Sequence, residues 1–359
     1  MSETLDPVRP IKLDEIKNAQ QRIAKTILRT PLIRLELGPD FPDVRLKLEN
    51  LQPINAYKLR GAANAVAMLS ESERKRGVWT ISAGNAGQGV AYAARQAGVP
   101  CTVVAIETAP ESKLERMRAL GAKLILVSYD VAWKALDDRQ YPGAEGTFVH
   151  PFDDDNFIAG HGTMALEILE DAPDTKAIIA SIGGGGLITG VASAIKAIKP
   201  DIKIFGAEPE TAAPAALSFE KGSPQIFKNW KASFVDGAGG QSLFPRMWER
   251  IKPLVDDYIV VTLEACRPFG PLTTSNSTAA PSGSDLKPLP WMAEKWTNRS
   301  SPVSLVMNPK PFASLNHLTV PDVLMDVSPF CAAFGESNPR LRPRSAGYLM
   351  YRATGAPLL

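Results

Sequence analysis

Three short stretches hold residue types that could do chemistry. Lys58 stands between Tyr57 and Leu59 at the entrance of an Ala-rich run. A lysine is ordinarily a solvated surface charge. Framed by apolar neighbours at a helix start, partial burial would lower its pKa and free the amine as nucleophile and base. Gly183-Gly184-Gly185-Gly186 lies between a short apolar run and a second helix start. Bare glycine backbone lets N–H groups approach an anion, and a helix N-terminus adds its dipole and unpaired donors, so a phosphate is the expected ligand. A glycine-rich turn can also serve only to pack a helix on a sheet. Ser82-Ala83-Gly84-Asn85-Ala86-Gly87-Gln88-Gly89 is the third stretch, again between strand and helix. Its backbone donors suit a carboxylate and the Asn85 amide can bond a ring hydroxyl, although a plain strand-to-helix turn would look similar.

The elements that must position these residues follow from hydrophobic spacing. Leu13 to Ile27 and Leu59 to Ser70 carry helical patterns, and Arg45 to Glu49 alternates as a strand. Gly77 to Ile81, Cys101 to Ala105, Lys123 to Val127 and Ala177 to Ile182 read as strands. Gly84 to Gly89 reads as a loop, and Val90 to Ala97, Ser112 to Leu120 and Leu187 to Ile198 as helices. Short apolar strands alternating with helices predict an α/β protein with parallel sheets and crossover helices on both faces.

Length and composition narrow the function classes. With 359 residues the chain exceeds what one core usually serves, so two domains are expected. Forty Lys+Arg against 38 Asp+Glu argue against a dedicated nucleic-acid surface. Three cysteines without a CxxC and three scattered histidines suggest neither a disulfide framework nor a metal cluster. The opening MSETLDPVRP lacks the apolar core of a signal peptide, so a soluble cytoplasmic protein is expected. Ala177 to Ile195 is uncharged and long enough to span a bilayer, but five glycines break it into a strand and a helix, and no membrane role is expected. The glycine run is not a Walker loop, because no Gly-Lys-Ser/Thr follows. Glu208, about twenty residues further on at a strand end, keeps a dinucleotide-binding alternative open.

Taken together and in this order, the three stretches resemble the fold-type II pyridoxal-phosphate enzymes, in the threonine/serine ammonia-lyase and serine racemase branch. Motifs of that branch look like Ser-Phe-Lys-x-Arg-Gly-Ala, Ser-Ser-Gly-Asn-His-x-Gln-Gly and a tetraglycine loop. The resemblance runs from Leu13 to Glu264. It implies a tryptophan synthase β-like fold with pyridoxal 5′-phosphate in the cleft between a discontinuous large domain (1–52 and 156–265) and a small domain (53–155). Lys58 is then the Schiff-base lysine and Asn85 the partner of the cofactor's 3-hydroxyl. Gly183, Gly184, Gly185, Gly186 and Leu187 would hold the phosphate, and Gly237 would lie near the cofactor ring. Ser82, Gly84, Asn85 and Ala86 would line the substrate carboxylate. The implied reaction is conversion of L-threonine or L-serine to 2-oxobutyrate or pyruvate plus ammonia, by Cα deprotonation at Lys58 and loss of the β-hydroxyl. A homodimer acting on a small amino acid is implied as well.

Departures from the family pattern carry information. Racemases of this branch have a second serine where Ala83 stands, which favours elimination here. Their divalent-cation site falls on Glu208, Ala212 and Pro214, and proline offers no carboxylate, so no metal is expected. Ala56 replaces a serine near the substrate, which leaves dehydration of another β-hydroxy amino acid such as threo-3-hydroxyaspartate as an alternative; the resemblance itself leaves serine racemisation as another. Residues 266–359 hold thirteen of the thirty prolines and lack the family's Glu-Gly-Ala-Gly-Ala and Ser-Gly-Gly-Asn patterns, the second of which supplies the ring-nitrogen contact; Ser337-Asn338 lacks the glycines. Such a stretch reads as a loop-rich tail or as the product of a shifted reading frame, and the second case implies a weakly active chain.

Overall fold

The computed structural model describes residues 6–37, 42–235, 237–266 and the backbone of 303–307. A four-stranded sheet has the order β5-β4-β3-β6, built from β3 (Val78–Ile81), β4 (Cys101–Ile106), β5 (Lys123–Val127) and β6 (Thr147–Phe148). All its pairings are parallel. The crossovers are α4 (Asn85–Ala97), α5 (Glu111–Ala119) and α6 (Tyr129–Asp138). Every residue of β3 is buried, as expected of a parallel strand covered on both faces.

The second sheet is six-stranded. Its order is β1 (Leu32–Arg34), β2 (Val44–Leu48), β10 (Val303–Met307), β7 (Ala177–Ser181), β8 (Lys203–Pro209) and β9 (Asp257–Val261). Helices α1 (Leu13–Ile23), α2 (Lys58–Ala67), α7 (Asp155–Asp171), α8 (Gly186–Ile198), α9 (Pro214–Lys221) and α10 (Pro245–Ile251) complete the architecture, and the short α3 (Glu71–Arg76) leads into β3. The mixed α/β fold with helix-linked parallel strands agrees with the sequence reading.

Three features differ from it. β1 runs antiparallel to β2, with Leu32 opposite Lys47, because the stretch from 35 to 43 is shorter than the crossover a parallel pair needs. One strand comes from the Pro/Ser-rich region: Val303–Met307 lies between β2 and β7 and is parallel to both. The segment expected as a loop from Gly84 to Gly89 is helical from Asn85 onward. Glycine disfavours helix, but here it permits close approach. A Cβ on Gly89 would lie 3.3 Å from the Lys58 carbonyl oxygen, and one on Gly87 would lie 2.7 Å from Met117 Sδ. Tertiary packing thus overrides local propensity.

Helix α7 joins the parts that matter for the site. A Cβ on Gly160 would sit 2.3 Å from Arg60 O, and one on Gly190 would sit 2.3 Å from Ile158 O. Backbone-to-backbone contact therefore seats α7 against α2 on one side and α8 on the other. The uncharged stretch 177–195 divides into β7 and α8 as expected, and no described helix is long and apolar enough to cross a membrane.

Candidate active site

Parallel strands deliver chain to helix N-termini at their carboxyl ends, where ligands of open α/β sheets bind. The turn Ser82–Gly84 follows β3 and the turn Ile182–Gly185 follows β7. At the first, the Gly84 N–H donates to Ser82 Oγ at 3.1 Å. Asn85 and Ala86 open α4, so their amides belong to the turn of a helix that has no internal partners for them. At the second, Gly186 and Leu187 open α8. Gly185 has φ +88°, a conformation glycine adopts freely.

The tetraglycine turn is bare backbone by necessity. A Cβ on Gly183 would meet the Gly237 oxygen at 2.5 Å, and one on Gly184 would meet Phe152 Cγ at 2.3 Å. At Gly185 the collision is with Ile251 Cδ1 at 2.4 Å, and at Gly186 with Phe152 O at 2.7 Å. Gly237 therefore lies against the glycine turn. Its neighbour Asp236 lies outside the described residues, as do Ser337 and Asn338.

Lys58 falls in the first turn of α2. Its Nζ donates to the Pro151 carbonyl oxygen at 2.7 Å and lies 5.3 Å from the Tyr57 ring centre and 5.4 Å from that of Phe157. Lys58 keeps some solvent exposure, yet protein surrounds the amine closely. Burial lowers its pKa to about 7.

Below Lys58 the helix is anchored by a buried ion network. Arg60 Nε and Nη2 donate to the two oxygens of Glu49, both at 2.8 Å, and Nη1 and Nη2 donate to Glu167 at 2.7 and 2.8 Å. Lys47 Nζ pairs with Glu167 at 2.6 Å and donates to Thr30 O at 2.6 Å. Two cations face two carboxylates, so the cluster is neutral and its donors are satisfied, which a buried ionic group requires. It ties β2, α2 and α7 together.

The sequence reading did not single out the turn His150–Asp153, which follows β6. Pro151 supplies the acceptor for Lys58, and the next residue, Phe152, packs on Gly184 and Gly186. The two candidate elements, amine and glycine turn, therefore meet across one dipeptide. A sequence signal did exist: the histidine-proline pair follows a short strand, and Asp154 caps α7 by accepting from the Phe157 N–H at 2.9 Å.

Glu208 serves a different purpose from the one the dinucleotide alternative needs. Its Oε1 accepts from the Ala215 N–H at 3.0 Å and its Oε2 from the Ala216 N–H at 2.8 Å, at the start of α9. Both oxygens are committed to a helix cap inside the protein. No group of three potential metal ligands occurs among the described residues.

Pyridoxal phosphate asks for a poorly solvated amine that can lose its proton near neutral pH, and for a side-chain-free helix start that can receive a phosphate. The residues present fit both demands.

The chain is similar to the L-threonine ammonia-lyase of Thermotoga maritima, at 40% identity over 259 residues. That alignment takes in 71% of this chain but 64% of the relative, less than two thirds of it. A catabolic L-threonine dehydratase of Staphylococcus aureus is 37% identical over 265 residues, covering 73% of this chain and 76% of the relative. Among solved structures, maize serine racemase superimposes with a TM-score of 0.66 at 35% identity, over 72% of this chain and 78% of that one. The threonine deaminase of T.th. gives a TM-score of 0.66 at 31% identity, over 84% of this chain and 100% of that one. The family model for pyridoxal-phosphate dependent enzymes matches residues 23–268, a span that takes in all three stretches first noticed for their chemistry, and the chain belongs to that family.

Proposed function

We propose that this chain is an ammonia-lyase of the threonine/serine type, converting L-threonine and L-serine to 2-oxobutyrate and pyruvate with release of ammonia. The observation that carries the reading is the Lys58 amine, brought to a pKa of about 7 by burial and held 2.7 Å from Pro151 O, one residue from the ring that packs on Gly184. Bound pyridoxal phosphate supplies an aldehyde that amines attack and a ring that accepts the electrons released at the substrate Cα. The chain's own residues do the rest. Amides of the Gly183–Leu187 turn hold the phosphate, and the Asn85 amide bonds the ring hydroxyl. Ser82, Gly84, Asn85 and Ala86 receive the substrate carboxylate at the start of α4, where the helix dipole favours an anion. Lys58 Nζ takes the Cα proton as general base.

Elimination is favoured over racemisation because Ala83 has no proton to exchange at Cα from the other face. An assay of 2-oxo acid against D-serine tests this: L-serine should give pyruvate with negligible D-serine, and D-serine formed at a comparable rate would replace the reading with a racemase. The same assay with threo-3-hydroxyaspartate ranks that substrate. The large domain (1–52 and 156–265) is read as carrying the six-stranded sheet apart from β10, and the small domain (53–155) the four-stranded sheet, and a cytoplasmic homodimer completes the proposal. The family resemblance supports these last points.

A further inference from the structure

We infer that the turn His150–Asp153 is a positioning element that sets the Lys58 amine relative to the phosphate-binding glycines, and that His150 is the side chain that holds the turn in shape. The inference rests on the reading of Lys58 as the cofactor-capturing lysine and extends it to His150 and Asp153, which that reading does not use.

Each of the four residues has a separate contact. The His150 ring is buried, and its Nδ1 accepts from two backbone amides, Asp153 N–H at 2.9 Å and Phe152 N–H at 3.3 Å. A nitrogen that accepts carries no proton, so the imidazole is the neutral tautomer with hydrogen on Nε2. Burial keeps it neutral, helped by the nearby charges of Arg139, Lys58, Arg246 and Arg250. Pro151 turns its carbonyl to Lys58 Nζ at 2.7 Å. Phe152 lays its ring on Gly184 and its carbonyl against Gly186. Asp153, buried, receives Arg246 Nε at 2.9 Å and Arg250 Nε at 3.1 Å, together with Arg139.

The partners come from both sheets' helices. Arg139 ends α6, which belongs with the four-stranded sheet. Arg246 and Arg250 lie on α10, whose Ile251 is the group a Gly185 Cβ would strike at 2.4 Å. The turn is therefore clamped at its aspartate from two directions and braced at its histidine from within. The His150 ring also meets the Phe152 ring edge-on, with centres 4.4 Å apart. Removing the Nδ1 acceptor leaves two amides without that partner and frees the dipeptide that touches both the amine and the glycines.

The test uses the full-length apoprotein and pyridoxal phosphate itself, and reads two quantities: the rate at which the violet absorption band forms and the cofactor dissociation constant. His150→Asn places an oxygen where Nδ1 stands, and His150→Leu removes the acceptor. We expect His150→Leu to slow capture and weaken binding by about tenfold or more, the scale of losing hydrogen bonds to buried amides. His150→Asn should stay within roughly threefold of the parent. Parent-like values in His150→Leu overturn the inference, and so does an His150→Asn variant as impaired as His150→Leu, because the role then belongs to the imidazole rather than to its acceptor. Should circular dichroism show that His150→Leu does not fold, Phe152→Leu decides: binding weakened by about tenfold supports the inference and unchanged binding overturns it. A parent protein that forms no band contradicts the function itself, which is a distinct outcome from a band indifferent to position 150.

Discussion

Lys58 donates its amine to the backbone carbonyl of Pro151 at 2.7 Å, and protein closes around both groups. A carbonyl can accept from an ammonium or from a neutral amine, so this contact holds the nitrogen in place through proton loss. Burial decides the protonation state and brings the pKa to about 7, against 10.5 for an ordinary lysine.

A pH dependence follows. The neutral amine is the nucleophile, so cofactor capture by the apoprotein should rise with pH through about 7 and then level off. The same depression makes the unfolded chain bind the extra proton between about 7 and 10.5, so this group adds stability as pH rises across that window. Stopped-flow absorbance checks the first point. A capture rate still climbing steeply near pH 10 would show that Lys58 is an ordinary solvated lysine.

The glycine turn predicts a steric penalty. A Cβ on Gly184 would lie 2.3 Å from Phe152 Cγ, so either the aromatic ring or the turn must move. Gly184→Ala should cost about 1–3 kcal/mol of stability, the usual penalty of overpacking, and weaken cofactor binding by about tenfold or more. Urea denaturation and cofactor titration measure the two. Unchanged binding would mean that the turn does not contact the cofactor.

The network under Lys58 predicts a large loss on truncation. Arg60 bonds both Glu49 and Glu167, and all three are buried. Arg60→Met leaves two carboxylates facing Lys47 alone, and the cost should be about 3–5 kcal/mol. A denaturation midpoint equal to the parent's would show that the carboxylates find water or protons cheaply.

Much of this arrangement was legible in the sequence because its chemistry is local. Consecutive glycines between a strand and a helix, and a lysine between apolar neighbours, stand out by residue type alone, so Gly183–Gly186 and Lys58 could be picked as candidates. The helical start at Asn85 did not, since Gly87 and Gly89 oppose a helix until α2 and Met117 supply the close packing that demands them. The histidine-proline pair after a short strand hints at a turn but not at its contacts, because its partners lie 93 residues away at Lys58 or within a turn whose shape the sequence does not state. Glu208 looked like a ribose partner because it ends a strand after a glycine loop. Only the fold shows its carboxylate turned inward to cap α9.

That cap bears on metal dependence. A hard cation would have to take Glu208 from the Ala215 and Ala216 amides with no carboxylate at Pro214 to help it. Treatment with a chelator should leave lyase activity and melting temperature unchanged. Activity lost on chelation and restored by magnesium would contradict this. Burial also raises the Glu208 carboxyl to about 8, so the folded protein keeps a proton that the unfolded chain releases near 4.5, and this group's contribution to stability falls as pH rises between those values. Glu208→Gln should flatten that slope.

The proposed function depends on the identity of one amine. Borohydride reduction of the cofactor-loaded protein, followed by digestion and peptide mass mapping, locates the attached pyridoxyl group. A single adduct on Lys58, absent in Lys58→Ala, is expected. An adduct on any other lysine, or none in a protein that has bound pyridoxal phosphate, would contradict it.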